Sequence, residues 1–477
     1  MRWLAAHTWL IMLVPLVMII MLSGYVGKPL NLLKDTEVDY LDRDTVLAMH
    51  LLGGGQERAK TVRYEAEVDG GSRVLLYLQN DSMAMPVMGD VLMVQTRVRR
   101  GGRLGDFDYG LYLRRQGIVG TCWAHRGNWQ LIGHEEQTGI RAMAKRCQYR
   151  LHEQYKQMGI DGQELGIVSA LTLGYREDLD KDVQRAFSAS GAMHVLAVSG
   201  LHTGIVWGIV IWLLTLGGWR KPLWEEKGKR WVLSMTAIVL IWVYAFVTGL
   251  SPSVMRSSLM LSFWSLSGLL DQYTSRWNPL LAAAVVILLI NPLALGSVSF
   301  QLSFAAVAGI MLIGQRMQST IVLKGRVLQY IGGLLLVSVA AQMATIPLTL
   351  HYFGQTSNYF ALTNLIVIPM AWIILLLGFG TLALSWCVVG EWLGMATKWC
   401  TWVLRGAVEW VEGLPYATTQ VSLSEWGGAW IIWRVVVRVV DAARQESALV
   451  VVDRCSVVTR DDAICRVRYS KYIIITN

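Results

Sequence analysis

Three long stretches of the chain carry almost no charge. From Trp231 to Leu270 the one charged residue is Arg256. From Trp277 to Gln315, and again from Val327 to Gly390, there is no Asp, Glu, Lys or Arg. Runs of about 20 apolar residues read as membrane-crossing helices, and no soluble core needs uncharged runs this long. The pattern predicts a polytopic α-helical membrane protein. Its breaks place helices over 194–217, 231–250, 255–270, 279–296, 299–315, 327–350, 359–387, 391–411 and 426–440. Trp3–Leu22 is a further apolar run after Met1-Arg2. Its length also suits a signal peptide, but no clear small-residue cleavage site follows, which favours an uncleaved anchor over 1–27.

Residues 28–190 have another texture. Val62–Val68, Arg73–Leu78 and Val91–Val98 alternate or run apolar between Gly-Gly, Asn-Asp and Gly-Asp turn signals and read as strands. Several short strands in so few residues predict a small β-barrel within 28–138. Arg141–Met158 reads as a helix and Leu165–Ala189 as further amphipathic or re-entrant helix, so 139–193 forms a linker to the helical domain at 194–440. The tail, 441–477, is polar.

Composition agrees. The chain is 54% hydrophobic, has a mean hydropathy of +0.41 and is 16% charged, against about 25% in soluble domains. The net charge of +9 fits basic cytoplasmic loops or a polyanionic partner. Loop 220–230 holds five basic and two acidic residues, and loop 316–326 holds three basic and none acidic. Four helices separate the loops, so both face the cytoplasm and 28–190 lies outside it. The six cysteines form no CxxC; Cys122 and Cys147 could pair only in an oxidising compartment.

Polar groups enter the apolar runs at several depths. His194 and His202 flank Ser199-Gly200; eight residues apart, the histidines fall within about 80° on one helix face. The small pair permits either close helix contact or a break. Pro252 and Ser253 precede Arg256. Gln301 with Ser303, Gln342 with Thr345 and Pro347, and Asn364 with Pro369 repeat the theme. Each alone reads as ordinary interhelical hydrogen bonding or, for His194, as a helix end in water. Together they describe broken helices along a polar path. There is no GxxxxGK[ST], no HExxH and no other metal motif, and no carboxylate lies within a predicted membrane span before Glu391. Neither a nucleotide-hydrolysing engine nor a metal or other cofactor is expected.

Residues 97–150 carry eleven Lys+Arg against four acids, with aromatics interleaved. Arg97, Arg99, Arg100, Arg103, Arg114 and Arg115, with Tyr109, Tyr112 and Trp123, have the composition of a single-strand-binding surface. Core aromatics beside a solvated basic face would give the same pattern.

His194-Val-Leu-Ala-Val-Ser-Gly-Leu-His202 resembles the signature of the ComEC family of competence proteins, which pass DNA across the inner membrane. Gly105-Asp-Phe-Asp-Tyr109 with Tyr112-Leu113 and Gly117-Ile118 resembles the closing segment of that family's extracytoplasmic domain. Leu171-Thr-Leu-Gly174, Phe187, Pro252-Ser253 with Arg256, Gln301-Leu-Ser303-Phe304, Gln342–Pro347 and Asn364–Pro369 follow in the family's order, so the resemblance covers roughly 1–440. It implies an OB-like barrel outside the bacterial inner membrane and a helical channel, not an enzyme, that conducts single-stranded DNA inward. It also implies an extracytoplasmic DNA receptor, a cytoplasmic motor ATPase and strand-coating proteins as partners. Two departures stand out. Leu104 replaces a frequent proline, and Asn477 leaves no room for the metallo-β-lactamase-like domain that many members carry. The rival readings are a secondary transporter for a small solute, which broken helices suit equally, and an envelope-assembly scaffold.

Overall fold

The computed structural model describes residues 41–57, 60–68, 71–80, 85–104, 107–115, 117–135, 139–214, 227–269, 277–314 and 325–420. The expected anchor at 1–27, most of both basic loops, the expected helix at 426–440, the tail, and Cys455 and Cys465 lie outside these residues.

The strands form where the alternation predicts them. β1 (Asp44–Leu51), β2 (Gln56–Glu57), β3 (Thr61–Val68), β4 (Ser72–Gln79) and β5 (Asp90–Arg97) are followed by a short β6 (Arg103–Leu104) and β7 (Phe107–Asp108) pair. Then come α1 (Tyr109–Arg115), β8 (Ile118–Ala124) and β9 (Trp129–His134). The main sheet has the order β8–β4–β3–β1–β5–β9, with β2 on β3. Only β4–β8 is parallel. Period-2 alternation sends Val62, Tyr64, Ala66 and Val68 into one core with Val74, Leu76, Leu78, Leu92 and Val94. On the other face α1 covers Leu75, Tyr77 and Ile118 through Leu113.

The ladder is open where a closed barrel was expected. β5 spends its backbone ladder on β1 and β9; it reaches β8 through the Thr96 hydroxyl, which donates to Trp123 O at 2.8 Å, and through its continuation. There Arg99 and Thr121 exchange backbone hydrogen bonds of 2.8 and 2.9 Å.

Three helices follow: α2 (Ile140–Gln157), α3 (Gly162–Thr172) and α4 (Lys181–Ala189). The single helix expected over 165–189 is interrupted at 173–180. Gly174 has φ +73°, which ends α3, and the Asp180 carboxylate accepts from Asp182 N to restart the chain as α4. Next come α5 (Met193–Leu196), α6 (Gly200–Leu214), α7 (Lys227–Val247), α8 (Pro252–Leu269), α9 (Trp277–Ile290) and α10 (Val298–Gly309), which ends in a π-turn. α11 (Arg326–Phe353), β10 (Gln355–Ser357), α12 (Phe360–Ala383), α13 (Val388–Glu412) and β11 (Thr418–Gln420) complete the described order.

Among the described residues three helices are long and apolar enough to cross a membrane: Arg230–Val247 of α7, α11 and α12. α6, α9 and α10 are apolar but shorter, because the sequence windows ran across breaks that the backbone makes. Pro292, for example, ends the run at 279–296 in a 3-10 turn. Outward positions such as Val239, Val243, Ile290 and Ile373 are apolar and exposed, as a lipid-facing surface requires. The helical core joins Tyr155, Ile167, Leu171, Phe187, Val195, Ile374 and Leu404 from α2, α3, α4, α5, α12 and α13.

Candidate functional site

The segment Ser190–His202 does not form one helix. α5 stops at Leu196, and Ala197-Val198-Ser199 run irregularly before α6 begins at Gly200. The common helix face expected for the two histidines is therefore lost. His194 is exposed, with Nδ1 3.1 Å from Gly191 O. His202 is wholly buried. Its Nδ1 accepts from Ser199 N at 3.4 Å, with Ser199 Oγ 3.3 Å away. A backbone N–H can only donate, so the neutral ring carries its proton on Nε2. That atom is buried without a hydrogen-bond partner among the described residues.

Two other chain breaks converge on this one. A β-carbon placed on Gly174 would stand 3.2 Å from Val198 Cγ2 and 3.7 Å from Thr248 O. Thr248 opens the turn between α7 and α8, where Gly249 (φ +69°) and Leu250 (φ +52°) are both left-handed. Gln148 of α2 holds the junction together. Its Nε2 donates to Leu173 O at 2.7 Å, and its amide packs against Gly249. Irregular backbone in a membrane protein persists only inside protein or beside water, so the meeting of three breaks marks a candidate site.

Gly200, Pro252, Ser253 and Arg256 lie on α6 and α8, the two helices that leave this junction. Gly200 packs on Ser257, where an added β-carbon would meet Ser257 Cβ at 3.6 Å. Thr203 Oγ1 and Ser257 Oγ are 2.7 Å apart. Pro252 is exposed at the first position of α8, and the Ser253 carbonyl accepts from Ser257 Oγ at 3.2 Å. Arg256 is 6% exposed. Its Nη2 donates to Ser299 Oγ at 2.6 Å, while Nε is buried and unpartnered among the described residues.

Gln301 ties α10 to α11: it donates to Leu295 O at 3.0 Å and accepts from Tyr352 OH at 2.7 Å. Ser303 is half-buried on α10. Gln342 reaches Thr356 Oγ1 at 3.2 Å. Thr345 bonds to Ala341 and Gln342 carbonyls of its own helix, so it reads as local. Pro347 is buried inside α11. Asn364 is buried with Oδ1 unpartnered among the described residues. Among the described residues no hydrogen bond joins Gln342 or Gln301 to His202; the candidates line several helices and do not form one cluster.

On the sheet, Arg97, Arg99 and Arg100 are exposed and Arg114 is half-buried. Trp123 is half-exposed and stacks on Tyr77, ring centroids 5.2 Å apart and 13° from parallel. Tyr109 packs into the α1 cluster and Trp129 against the main core, so these two act as core aromatics. The side chains of Arg103, Tyr112 and Arg115 lie outside the described ones.

A polar network beside the junction was invisible in the sequence. Buried His152 places Nδ1 2.8 Å from Ser169 Oγ and Nε2 2.9 Å from Asp178 Oδ2. The His152 hydrogen bond holds the Asp178 carboxyl below its ordinary range. Burial pushes Glu177 up, and Tyr175 OH donates to it at 2.9 Å. Gln148, Thr203 and Ser257 were missed for the same reason: each carries ordinary polarity and gains its meaning from a distant partner.

A family model described as Competence protein matches residues 171–444, more than half the chain and all three breaks. The chain belongs to the ComEC family of competence proteins. It is 30% identical over 204 residues to ComE operon protein 3 of Bacillus subtilis (strain 168), covering 43% of this chain and 24% of that protein. Competence protein ComA of Neisseria gonorrhoeae is 29% identical over 167 residues, 34% of this chain and 23% of that protein. The Escherichia coli (strain K12) protein YcaI is 25% identical over 205 residues, 43% of this chain and 27% of its own length. Each aligned stretch spans about a quarter of these curated relatives. No solved structure matches the chain.

Proposed function

We propose that this ComEC-family chain is an inner-membrane channel that conducts single-stranded DNA into the cytoplasm during natural transformation. The convergence of the breaks at Gly174, Val198 and Thr248 beside a buried His202 Nε2, unpartnered among the described residues, carries the reading. Polar groups at such depth face a bundle interior or a wet path, and half-broken helices suit translocation. In this reading His194, Ser199, His202, Arg256, Gln301, Gln342 and Asn364 line or gate the path. The N-terminal sheet is extracytoplasmic and OB-like: the parallel strand pair β4–β8 and the Arg99–Thr121 bridge favour that topology. The half-exposed Trp123 ring, with Tyr77 on one face and on the strand whose Thr121 bridges exposed Arg99, suits base stacking near phosphate contacts. The chain is a conduit with no nucleotide chemistry of its own. An extracytoplasmic receptor delivers DNA, a cytoplasmic motor ATPase draws the strand, and coating proteins receive it.

The test is uptake of labelled DNA into the cytoplasm of a deletion strain complemented with wild type or His202→Ala. Entry restored by wild type alone supports the channel. Unchanged cytoplasmic DNA in the deletion strain would remove this reading and bring forward solute transport.

A further inference from the structure

The chain's single run of three glycines, Gly53-Gly54-Gly55, joins β1 to β2. None of the three is left-handed, so no backbone angle asks for glycine here. Close approach does. A β-carbon on Gly55 would stand 2.7 Å from Tyr64 OH of β3, and Leu52 N donates to Glu65 O at 2.8 Å, so the turn belongs to the frame of the sheet. A β-carbon on Gly54 would instead overlap Glu177 Oε2 and stand 3.5 Å from Tyr175 OH. One on Gly53 would lie 3.5 Å from Lys145 Nζ and 3.7 Å from Glu177 Oε1. The turn of the sheet thus sits bare against loop 173–180 of the helical domain.

Both sides of this seat are braced. Lys145 of α2 reaches Glu65 Oε2 at 3.4 Å, and Arg73 of β4 stands 3.8 Å from Glu65 Oε1. The Glu177 oxygen that faces Gly54 accepts from Tyr175 OH at 2.9 Å. The Tyr175 ring packs on His152, centroids 4.4 Å apart, and His152 holds Asp178 at 2.9 Å. Lys145 and Glu65 are about one-third exposed, and such pairs add little energy; what the seat supplies is register. One turn of α2 then carries it to the break. Gln148, three residues after Lys145 and on the same helix face, donates to Leu173 O at 2.7 Å and packs against Gly249. Contacts therefore run without a gap from Gly54 to Glu177, along 173–175, and through Gln148 to Gly249.

We propose that the Gly53–Gly55 turn is an interdomain latch: through Glu177 the N-terminal sheet fixes loop 173–180, and with it the triple break, in one register. Movement of the sheet then reaches the path through this seat. The latch holds whether the path carries DNA or a small solute.

Amide hydrogen exchange of the full chain in lipid nanodiscs, read by mass spectrometry, tests this. Two hydrogen-bonded amides report. Tyr175 N donates to Ser169 O at 3.1 Å in the loop, and Leu250 N donates to Ala245 O at 2.9 Å at the far break. Gly54→Ala should speed exchange at both about tenfold, because the new methyl group displaces the Glu177 carboxylate from Tyr175. Glu177→Asp shortens that side chain by one carbon. Combined with Gly54→Ala, it should return both amides to within about threefold of wild type. Gly133→Ala, on β9 with nothing within 4 Å of the added carbon, should change neither. Unchanged exchange in Gly54→Ala overturns the proposal. Faster exchange at Tyr175 alone also overturns it, since the seat would then be local. So does faster exchange at both amides that Glu177→Asp does not relieve, because the glycine would then be making room for something other than Glu177. Should Gly54→Ala fail to fold, recovery of folding by Glu177→Asp supports the latch, and no recovery overturns it.

Discussion

Thr203 Oγ1 and Ser257 Oγ stand 2.7 Å apart and couple α6 to α8 just beyond the break at Ser199. Both residues are buried. Each also has a carbonyl of its own helix end within reach, Ser199 O 3.2 Å from Thr203 Oγ1 and Ser253 O 3.2 Å from Ser257 Oγ, so neither hydroxyl is stranded when the other is removed. Interhelical hydrogen bonds in membranes are worth about 0.6 kcal/mol on average and up to about 1.7. A double-mutant cycle of Thr203→Val and Ser257→Ala, read by unfolding in detergent, should give a coupling of about 0.5–1.5 kcal/mol. Strict additivity would show that the two helices are held by apolar packing alone.

Gly174→Ala and Gly200→Ala should behave oppositely. The first forces a side chain onto a left-handed backbone at φ +73° and brings it to 3.2 Å from Val198. Strain of this kind costs about 1–3 kcal/mol. At Gly200 the added carbon meets Ser257 Cβ at 3.6 Å, an ordinary contact on a helical backbone. Gly174→Ala should lower the detergent-unfolding midpoint clearly, and Gly200→Ala should stay within about 0.5 kcal/mol of wild type. Equal effects would dissolve the claim that the triple break is built on Gly174.

The contrast between these glycines shows what the sequence could carry. Local pattern was legible: the uncharged runs became α7 to α12, and alternation at 62–68 became β3 with its apolar residues inward. Polar groups in apolar runs were legible as well, so Gly200, His202 and Arg256 stood out. Gly174 entered only through the family resemblance, and Gln148 not at all, because nothing in their local polarity distinguishes them. Gln148 matters through Leu173 O, 25 residues away, and Gly174 through the space beside Val198 and Thr248 that an added β-carbon would enter. A single sequence encodes such meetings only through the whole fold. Breaks were the other blind spot. An eight-residue spacing of histidines fits one helix face, and only the backbone at 197–199 denies it.

The pH response of the loop follows from Asp178. Its folded-state pKa lies below the ordinary value because His152 hydrogen-bonds the carboxylate. A depressed carboxyl contributes stability that is full above its unfolded pKa of about 3.9 and is lost as pH falls through the folded value. Glu177 works the other way, since burial raises it and favours its neutral form. Asp178→Asn should therefore destabilise the chain at neutral pH and converge with wild type in strong acid. Glu177→Gln should do least harm at neutral pH, where the buried charge is costly. Unfolding midpoints of the three proteins between pH 3 and 7 check both signs; a constant gap between wild type and Asp178→Asn across that range would refute the account of Asp178.

Arg256 separates stability from function most sharply. It is 6% exposed, with Nη2 on Ser299 Oγ at 2.6 Å and Nε unpartnered among the described residues. A buried charge with only a hydroxyl to face is expensive, and a chain selected for stability alone would place an apolar residue there. Arg256→Met keeps the length and apolar stem and removes the charge. It should leave the unfolding midpoint unchanged or raise it, because replacing poorly compensated buried charge by hydrophobic volume is neutral or stabilising by about 1–4 kcal/mol. It should also abolish DNA uptake. Ser299→Ala takes away the guanidinium's hydroxyl and should instead cost about 1–3 kcal/mol. Measured together, a stable Arg256→Met protein without uptake assigns the arginine to the path. An unstable one assigns it to the scaffold, since its charge would then be holding the α8–α10 contact.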